Sequence, residues 1–500
     1  MQERPNILII HNDEHRYDCL GAYGNEQVKT PNLDRLAENG VTYQNSYCTL
    51  PVCTPSRYSF LTGLYPHQHM GWTNQSNFPE AFKTFPGMLR EAGYRTKAVG
   101  KMHFTPTYLD IGFDELELAE QNGHGRHDDD YHRYLREKGL VDYNDLLDQV
   151  SDFRNDAPEE YWESVGAMES NLAEEDHKTT WIADRAVAEL KKWNDGNNLL
   201  MAGFINPHHP FDPPAPWSQM YDSEEISILP GWTEEALSQD TDYHLGFFKH
   251  EDLTEEQLKR ATAYYYACIS QIDYHIGRMI DLLKEKGIYD KTMIIFTSDH
   301  GDYMGYHHML LKQNHMYEPL MKVPLIIKYP TDNLELGITP GLNQDKQQTL
   351  DERLVNNIDL APTILEQVGL DIDENMPGID LADQSATRNY LFAESIGQQE
   401  YMVRSKKYKL LLNKNEESSQ FFDLEKDPYE IENLYNNSEY QDKVTQYKKQ
   451  IYRWLLFEEP TPIYLNEKAK VIDQPNVPDQ DDNHREKSEQ YFSDKMNEEL

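Results

Sequence analysis

Residues 6–18, NILIIHNDEHRYD, govern how the rest of the chain is read. The first six, NILIIH, form a short and continuously apolar run, the pattern of a strand buried on both faces of a parallel sheet. The polar string that follows places carboxylates at the carboxyl end of that strand. In open α/β sheets ligands bind beyond those ends, so the polar strings behind other strands become the places to search. Thr30 and Pro31 then supply an N-cap and a first helical position, and the helix through Leu33 and Leu36 stops at Gly40. Further strand-like runs lie at 96–100, 199–205, 293–298 and 323–328, with helical patterns at 179–193 and 255–286. This alternation predicts an α/β fold, a mostly parallel sheet covered by helices on both faces.

After residue 381 the texture changes. Segments 390–394, 401–404 and 408–412 are short, alternate with period two and are separated by turn residues; a helix is expected near 441–456. The chain therefore reads as a large domain over 1–385, a small α+β subdomain with an antiparallel sheet over 386–456, and an acidic extension over 457–500. The extension is expected to wrap the surface or remain mobile. Residues 114–176 are rich in Asp and Glu and read as a solvated insertion. Its metal-like string, His127-Asp128-Asp129-Asp130-Tyr131-His132, reads as a solvated loop.

Charge narrows the function. Across 500 residues, 47 Lys and Arg stand against 87 Asp and Glu, a net charge of −40. That argues against nucleic acid and anionic membrane surfaces as partners, since both attract basic proteins. The apolar run 199–205 is far short of the ~20 residues that span a bilayer, so no transmembrane helix is expected. The opening MQERPNILII lacks a signal-peptide pattern, and the expectation is a cytoplasmic protein. Four cysteines, Cys19, Cys48, Cys53 and Cys268, are too few for a disulfide scaffold. Three of them read as ordinary reduced thiols. Basic residues outnumber acidic ones between 53 and 103, which hints at an anion pocket.

The fourth cysteine opens the string Cys53-Thr54-Pro55-Ser56-Arg57, continuing YSFLTGLYP. This string resembles the C-x-P-S-R signature of the sulfatases, the formylglycine-dependent, Cys-type members of the alkaline-phosphatase superfamily. The resemblance runs from Pro5 to about Leu434, and its companion elements come in family order. Asp13 and Glu14 follow the first strand, where the family places metal ligands; Glu14 departs from the more usual Asp or Gln. Lys101 and His103 form a G-K-x-H element. His208, in Asn206-Pro-His-His-Pro-Phe211, resembles the family's leaving-group histidine. Asp299 and His300 resemble the second ligand pair, and Lys312 precedes a Y-E…V-P-L run as the last active-site lysine does.

The residue types suit these roles. Carboxylates such as Asp13, Glu14 and Asp299 offer hard oxygens, which favour Ca²⁺ or Mg²⁺; His300 keeps Mn²⁺ open. Arg57 lies one helical turn beyond Cys53, so a guanidinium and a helix N-terminus would face an anion together.

The resemblance implies an arylsulfatase-like hydrolysis of sulfate esters. A maturation enzyme oxidises Cys53 to formylglycine, whose hydrate becomes a ligand of one divalent metal and attacks sulfur. Arg57, Lys101, Lys312 and the metal hold the sulfuryl oxygens. His208, helped by Lys312, protonates the departing alcohol, and His103 takes the proton that releases sulfate. Two alternatives stay open: a phosphonate monoester or phosphodiester hydrolase of the same superfamily, and an unmodified metal-binding protein without turnover. The substrate is expected to be a small or saccharide sulfate, because a charge of −40 repels long polyanions. His67 and His69 are divided between pocket lining and packing. His307 and His308 are candidate substrate contacts, and Tyr264 to Tyr266 read as packing.

Overall fold

The computed structural model describes residues 4–78, 82–121, 129–194, 196–240, 248, 253–312, 315–331, 349–461 and 484–499. His127 and Asp128 lie outside the described residues. Eight strands build the main sheet: β1 (Asn6–Asn12), β2 (Val41–Tyr47), β3 (Arg95–Gly100), β4 (Glu115–Leu118), β5 (Asn198–Phe204), β6 (Thr292–Ser298), β7 (Leu325–Lys328) and β8 (Thr349–Asn356). They run in the order β4-β3-β5-β1-β6-β7-β2-β8. Neighbours are parallel except at β7, which is antiparallel to both β6 and β2. The reason is local. Between β6 and β7 the described residues make loops and the short helix Glu318–Met321, not the long crossover helix a parallel return uses.

Strand β1 shows why an apolar run becomes a central strand. Leu8 and Ile10 enter one apolar layer with Ile182, Ile269 and Phe296, while Ile7 and Ile9 enter the other with Phe60, Leu89 and Ile364. All four are fully buried. Each contributes about 1.5–3 kcal/mol of transfer free energy, which a polar residue on either face would forfeit. Helices Lys178–Lys192 and Glu255–Glu285 cover the first face; Cys53–Thr62, Phe85–Glu91 and Leu360–Gln367 cover the second.

The acidic segment 114–176 departs from its reading as a solvated insertion. Tyr131, Leu135, Leu146, Leu147 and Tyr161 are buried in the first apolar layer, and His132 is buried as well. Many of the acids cap or pair. Asp129 accepts from the amide of His132 at the start of helix Asp130–Lys138, and Asp142 does the same for Asp145 at the start of Tyr143–Gln149. Asp142 also faces the buried ammonium of Lys178, which Asp212 holds at 2.8 Å. Composition registers such carboxylates as surface charge, although N-caps use the same residues. The extension likewise includes helix His484–Glu499, docked through buried Phe492 and Met496.

A second, antiparallel sheet follows in the order β12-β11-β10-β9, formed by β9 (Leu391–Glu394), β10 (Glu400–Arg404), β11 (Tyr408–Asn413) and β12 (Gln420–Asp423). Its period-two alternation has two buried faces. Val403, Leu410 and Phe421 pack under helix Gln441–Arg453, while Met402, Leu411 and Phe422 pack on Tyr317 and Leu320.

His67 sits at the seam between this sheet and the signature helix. Its backbone amide donates to Glu394 Oε1 at 3.0 Å, its Nδ1 lies 2.6 Å from the same oxygen, and its Nε2 lies 2.5 Å from the Glu459 carbonyl. Burial disfavours the charged ring, but the bond to Glu394 outweighs it and raises the pKa. The folded state therefore binds a proton more tightly than the unfolded chain, whose histidine titrates near about 6.5. The stabilisation is complete below that value and is lost as pH rises through the raised folded pKa. Thermal unfolding of the His67→Gln variant should differ most from that of the parent below pH ~6.5 and converge with it at alkaline pH; a constant offset across pH would refute the assignment.

Candidate active site

Strands β3, β5, β1 and β6 are adjacent and parallel, so their carboxyl ends deliver Lys101 and His103, His208, Asp13 and Glu14, and Asp299 and His300 to one place. Small residues make this convergence possible. A Cβ at Gly203 would stand 2.2 Å from the Lys101 carbonyl, and one at Gly100 (φ +88°) would stand 2.1 Å from the Gly203 carbonyl. Gly203→Ala should therefore push β3 and β5 apart and shift Lys101. A fall in kcat of about tenfold or more with a lowered melting temperature is expected, and a variant matching the parent in both would contradict this reading.

Cys53 begins helix Cys53–Thr62, which ends on Gly63 in the left-handed region. Its Sγ lies 3.6 Å from Asp13 Oδ1, 3.4 Å from His300 Nε2 and 3.5 Å from Lys312 Nζ. The helix is anchored from both sides: Ser56 Oγ donates to the Asp299 carbonyl at 2.6 Å, and Thr54 Oγ1 to the His103 carbonyl at 2.8 Å. One turn on, the buried guanidinium of Arg57 donates to Asp13 Oδ2 (2.8 Å), Asp299 Oδ2 (3.0 Å) and the Lys101 carbonyl (2.7 Å). Sequence reasoning expected Arg57 to grip substrate. In the structure its guanidinium contacts the carboxylates of Asp13 and Asp299.

The donors around Cys53 suit a hard divalent cation. Asp13, Cys53, Asp299 and His300 each offer an atom, all within 4.8 Å of one another and all buried. The other atoms of these groups are tied back. Asp13 Oδ2 takes Arg57 and Lys101, Asp299 Oδ2 takes Arg57, and His300 Nδ1 meets the Gly301 carbonyl at 2.8 Å, leaving Nε2 toward Cys53. Such second partners fix ligand orientation. The local field also calls for positive charge. Burial disfavours a charged His300, yet Asp299 and Cys53 raise its pKa to about 9. Asp13 stays ionised despite burial because Lys101, Arg57 and Lys312 hold its pKa well down.

Glu14 stands beside Asp13. It falls in an adjoining group with Asp13 and His208, and its carboxylate contacts the Lys312 ammonium. Its backbone is in the left-handed region (φ 58°). The loop is held by Tyr265, whose hydroxyl donates to the Glu14 carbonyl at 2.5 Å and accepts from the Arg16 amide at 2.9 Å. Tyr265, read from sequence as packing, thus supports the site.

The two expected proton carriers differ in environment. His208 Nδ1 lies 2.6 Å from the His209 carbonyl, which can only accept, so Nδ1 carries the proton. Nε2 is then bare and takes the Lys312 ammonium at 3.1 Å. Burial and the charges of Lys101 and Lys312 press the His208 pKa well down. Lys312 is therefore the protonated member of the pair. His103 is buried with both ring nitrogens unpartnered, and burial with Lys101 lowers its pKa to about 3. A neutral imidazole with free nitrogens can accept a proton from a group that enters.

Two neighbours escaped sequence reasoning. Gln121 joins the site's halves, accepting from Lys101 Nζ at 3.2 Å and donating to the His209 carbonyl at 2.7 Å. Glu120 accepts the amides of Met102 and His103 at 3.0 Å. Neither lies in a motif, and only folding brings β4 beside β3. His69, His307 and His308 are occupied elsewhere, by Ser59, by Asp240 and Tyr429, and by Thr233 with a stacked Trp232.

An alkaline-phosphatase-like sheet with a candidate cation site, a buried cysteine at a helix start and flanking lysines defines a class of ester hydrolases. Within it the chain belongs to the sulfatase family: the Sulfatase family model matches residues 5–370, and the model for the C-terminal region of N-sulphoglucosamine sulphohydrolase matches 305–455. It is a sulfuric ester hydrolase. An arylsulfatase of Clostridium perfringens is 32% identical over 477 residues, covering 89% of this chain and 93% of that protein. Among solved structures, the phosphonate monoester hydrolase of Agrobacterium radiobacter has a TM-score of 0.72 at 23% identity, covering 90% of this chain and 95% of its own. A 2-O GAG sulfatase has a TM-score of 0.67 at 21% identity, covering 94% and 95%. No described helix is long and apolar enough to cross a membrane.

Proposed function

We propose that this chain hydrolyses a small or saccharide sulfate ester with formylglycine at position 53, produced by a maturation enzyme, and one divalent cation, Ca²⁺ in the first instance with Mg²⁺ or Mn²⁺ as alternatives. The observation that carries the reading is the placement of Cys53: its side chain faces a carboxylate, an imidazole and an ammonium within 3.6 Å. Asp13, Asp299, His300 and the side chain at 53 would hold the cation, which when bound supplies Lewis acidity toward the sulfuryl oxygens. Arg57, Lys101 and Lys312 already oppose Asp13, Asp299 and Glu14, so an added dication leaves the pocket positive, as an anionic ester requires. Formylglycine supplies the hydroxyl nucleophile. Arg57 and Lys101 keep the carboxylates in place. Lys312, in contact with bare His208 Nε2, provides the proton for the departing alcohol, and His103 accepts one from the side chain at 53.

The test is the mass of the tryptic peptide 36–57 from active protein. Conversion of the thiol to an aldehyde is expected, a mass change of one sulfur and two hydrogens lost for one oxygen gained at position 53; an intact cysteine in active protein overturns the formylglycine reading. An intact cysteine in inactive protein would instead support the unmodified metal-binding alternative. Paired aryl esters then separate a second reading, phosphonate monoester hydrolysis, which the fold shared with the Agrobacterium enzyme brings forward. Faster turnover of the sulfate ester than of the phosphonate is expected.

A further inference from the structure

The docked helix His484–Glu499 is far from every motif in sequence, yet an unbroken series of contacts leads from it to the site. The ring of Phe492 meets His132 edge-on at 5.2 Å, and Tyr491 donates to the Leu140 carbonyl at 3.0 Å. Ser488 accepts from Arg136. All three contacts fix helix Asp130–Lys138 and the turn after it. His132 Nδ1 lies 2.8 Å from Asp129 Oδ1, and Asp129 Oδ2 accepts the Glu120 amide at 2.6 Å. Beside it, Asp130 accepts the Leu118 amide at 2.8 Å and the Tyr108 hydroxyl at 2.9 Å. Glu120 in turn takes the amides of Met102 and His103 on one oxygen, both at 3.0 Å. His103 has a left-handed backbone (φ 56°) and no partner on its ring. What holds the ring in place is therefore its main chain, pinned by Glu120 on the amide and by Thr54 on the carbonyl.

We propose that Glu120 is a positioning residue for His103 and Lys101, and that the C-terminal helix keeps Glu120 in place through His132 and Asp129. The helix is thus a brace of the active site rather than a surface appendage. A site built on a loop needs such support, because a displacement of about 1 Å at a reacting group lowers the rate by about 10²-fold. The inference rests on the sulfatase reading for its catalytic consequence, but not for the bracing itself.

The test uses the full-length chain carrying Phe492→Ala with Met496→Ala, and separately Glu120→Ala, Glu120→Gln and, as a control, the exposed Asn497→Ala. Amide hydrogen exchange over residues 98–104 reads the bracing without turnover; kcat and KM on an aryl sulfate read its consequence. Expected are faster exchange and a kcat lowered about tenfold or more in the Phe492/Met496 double variant and in Glu120→Ala, with KM within about twofold. Glu120→Gln keeps the accepting oxygen and should restore most of both. Unchanged exchange at 98–104 in the double variant, with Phe492 and Met496 truncated and the protein folded, overturns the brace. Altered exchange with unchanged kcat in an active parent overturns the positioning role. A parent that turns over no sulfate ester removes the sulfatase reading, and exchange alone then decides the brace.

Discussion

Replacing Cys53 by alanine should lower kcat on a sulfate ester by at least about 10⁴-fold, the scale on which enzymes lose a covalent nucleophile. The melting temperature should move by no more than a few degrees, because the side chain is small and its burial contributes about 1 kcal/mol. The separation of these effects is what makes the variant informative. The polar contacts of Cys53 Sγ run to Asp13, His300 and Lys312, and Cys53 is not a member of the buried apolar layers. Serine at the same position makes a sharper contrast. A serine hydroxyl attacking sulfur forms one O–S bond as the ester's own O–S bond breaks and the alcohol leaves. The resulting serine sulfate has no second hydroxyl on the same carbon to expel it. Cys53→Ser should therefore stop after gaining at most one sulfuryl group, detectable in the mass of peptide 36–57. Multiple turnovers by either variant, measured as alcohol released beyond one equivalent, would sink the assignment of position 53.

The order of the strands along the sheet could not be read from sequence, but the site hardly needed it. Residues 6–11, 96–100, 199–205 and 293–298 read as strands from their apolar runs, and the groups behind them were found by position together with the resemblance to sulfatase motifs. Any arrangement that kept those strands parallel and adjacent would gather Asp13, Lys101, His208 and Asp299. Direction of side chains was another matter. The contact of Glu14 with Lys312 and the grip of Arg57 on Asp13 and Asp299 are tertiary, and no local pattern gives them. The acidic segment misled for a related reason. Asp129, Asp130 and Asp142 are capping and bonding groups of buried helices, and composition registers only their charge. Glu120 and Gln121 needed the pairing of β4 with β3, a contact no local pattern encodes.

Arg57 should give the largest loss of stability and activity together. Its guanidinium donates in three directions to Asp13, Asp299 and Lys101, from a position that is 1% exposed. Arg57→Ala leaves two buried carboxylates facing each other without it, and breaking a buried ion pair in this way costs about 3–5 kcal/mol. Arg57→Lys keeps the charge but not the fork, so it can serve one carboxylate at a time and should fall between the two. The pH dependence has a definite sign. Burial pushes Asp13 and Asp299 toward higher pKa values, but the surrounding cations, Arg57 among them, leave both below the ordinary range. Their contribution is thus present above the unfolded pKa of about 4 and is lost only as pH falls through the depressed folded values. Without Arg57 those values rise, and acid unfolding of the variant should begin at higher pH. Catalysis should follow the geometry: with the ligand carboxylates free to turn, Ca²⁺ affinity should weaken by about 10–100-fold, as it does when second partners of metal ligands are removed. Denaturant unfolding and calcium titration measure the two losses separately. An Arg57→Ala chain as stable as the parent would mean that the carboxylates are held by Lys101 and the backbone alone. Loss of activity with unaltered calcium affinity would instead return Arg57 to the substrate.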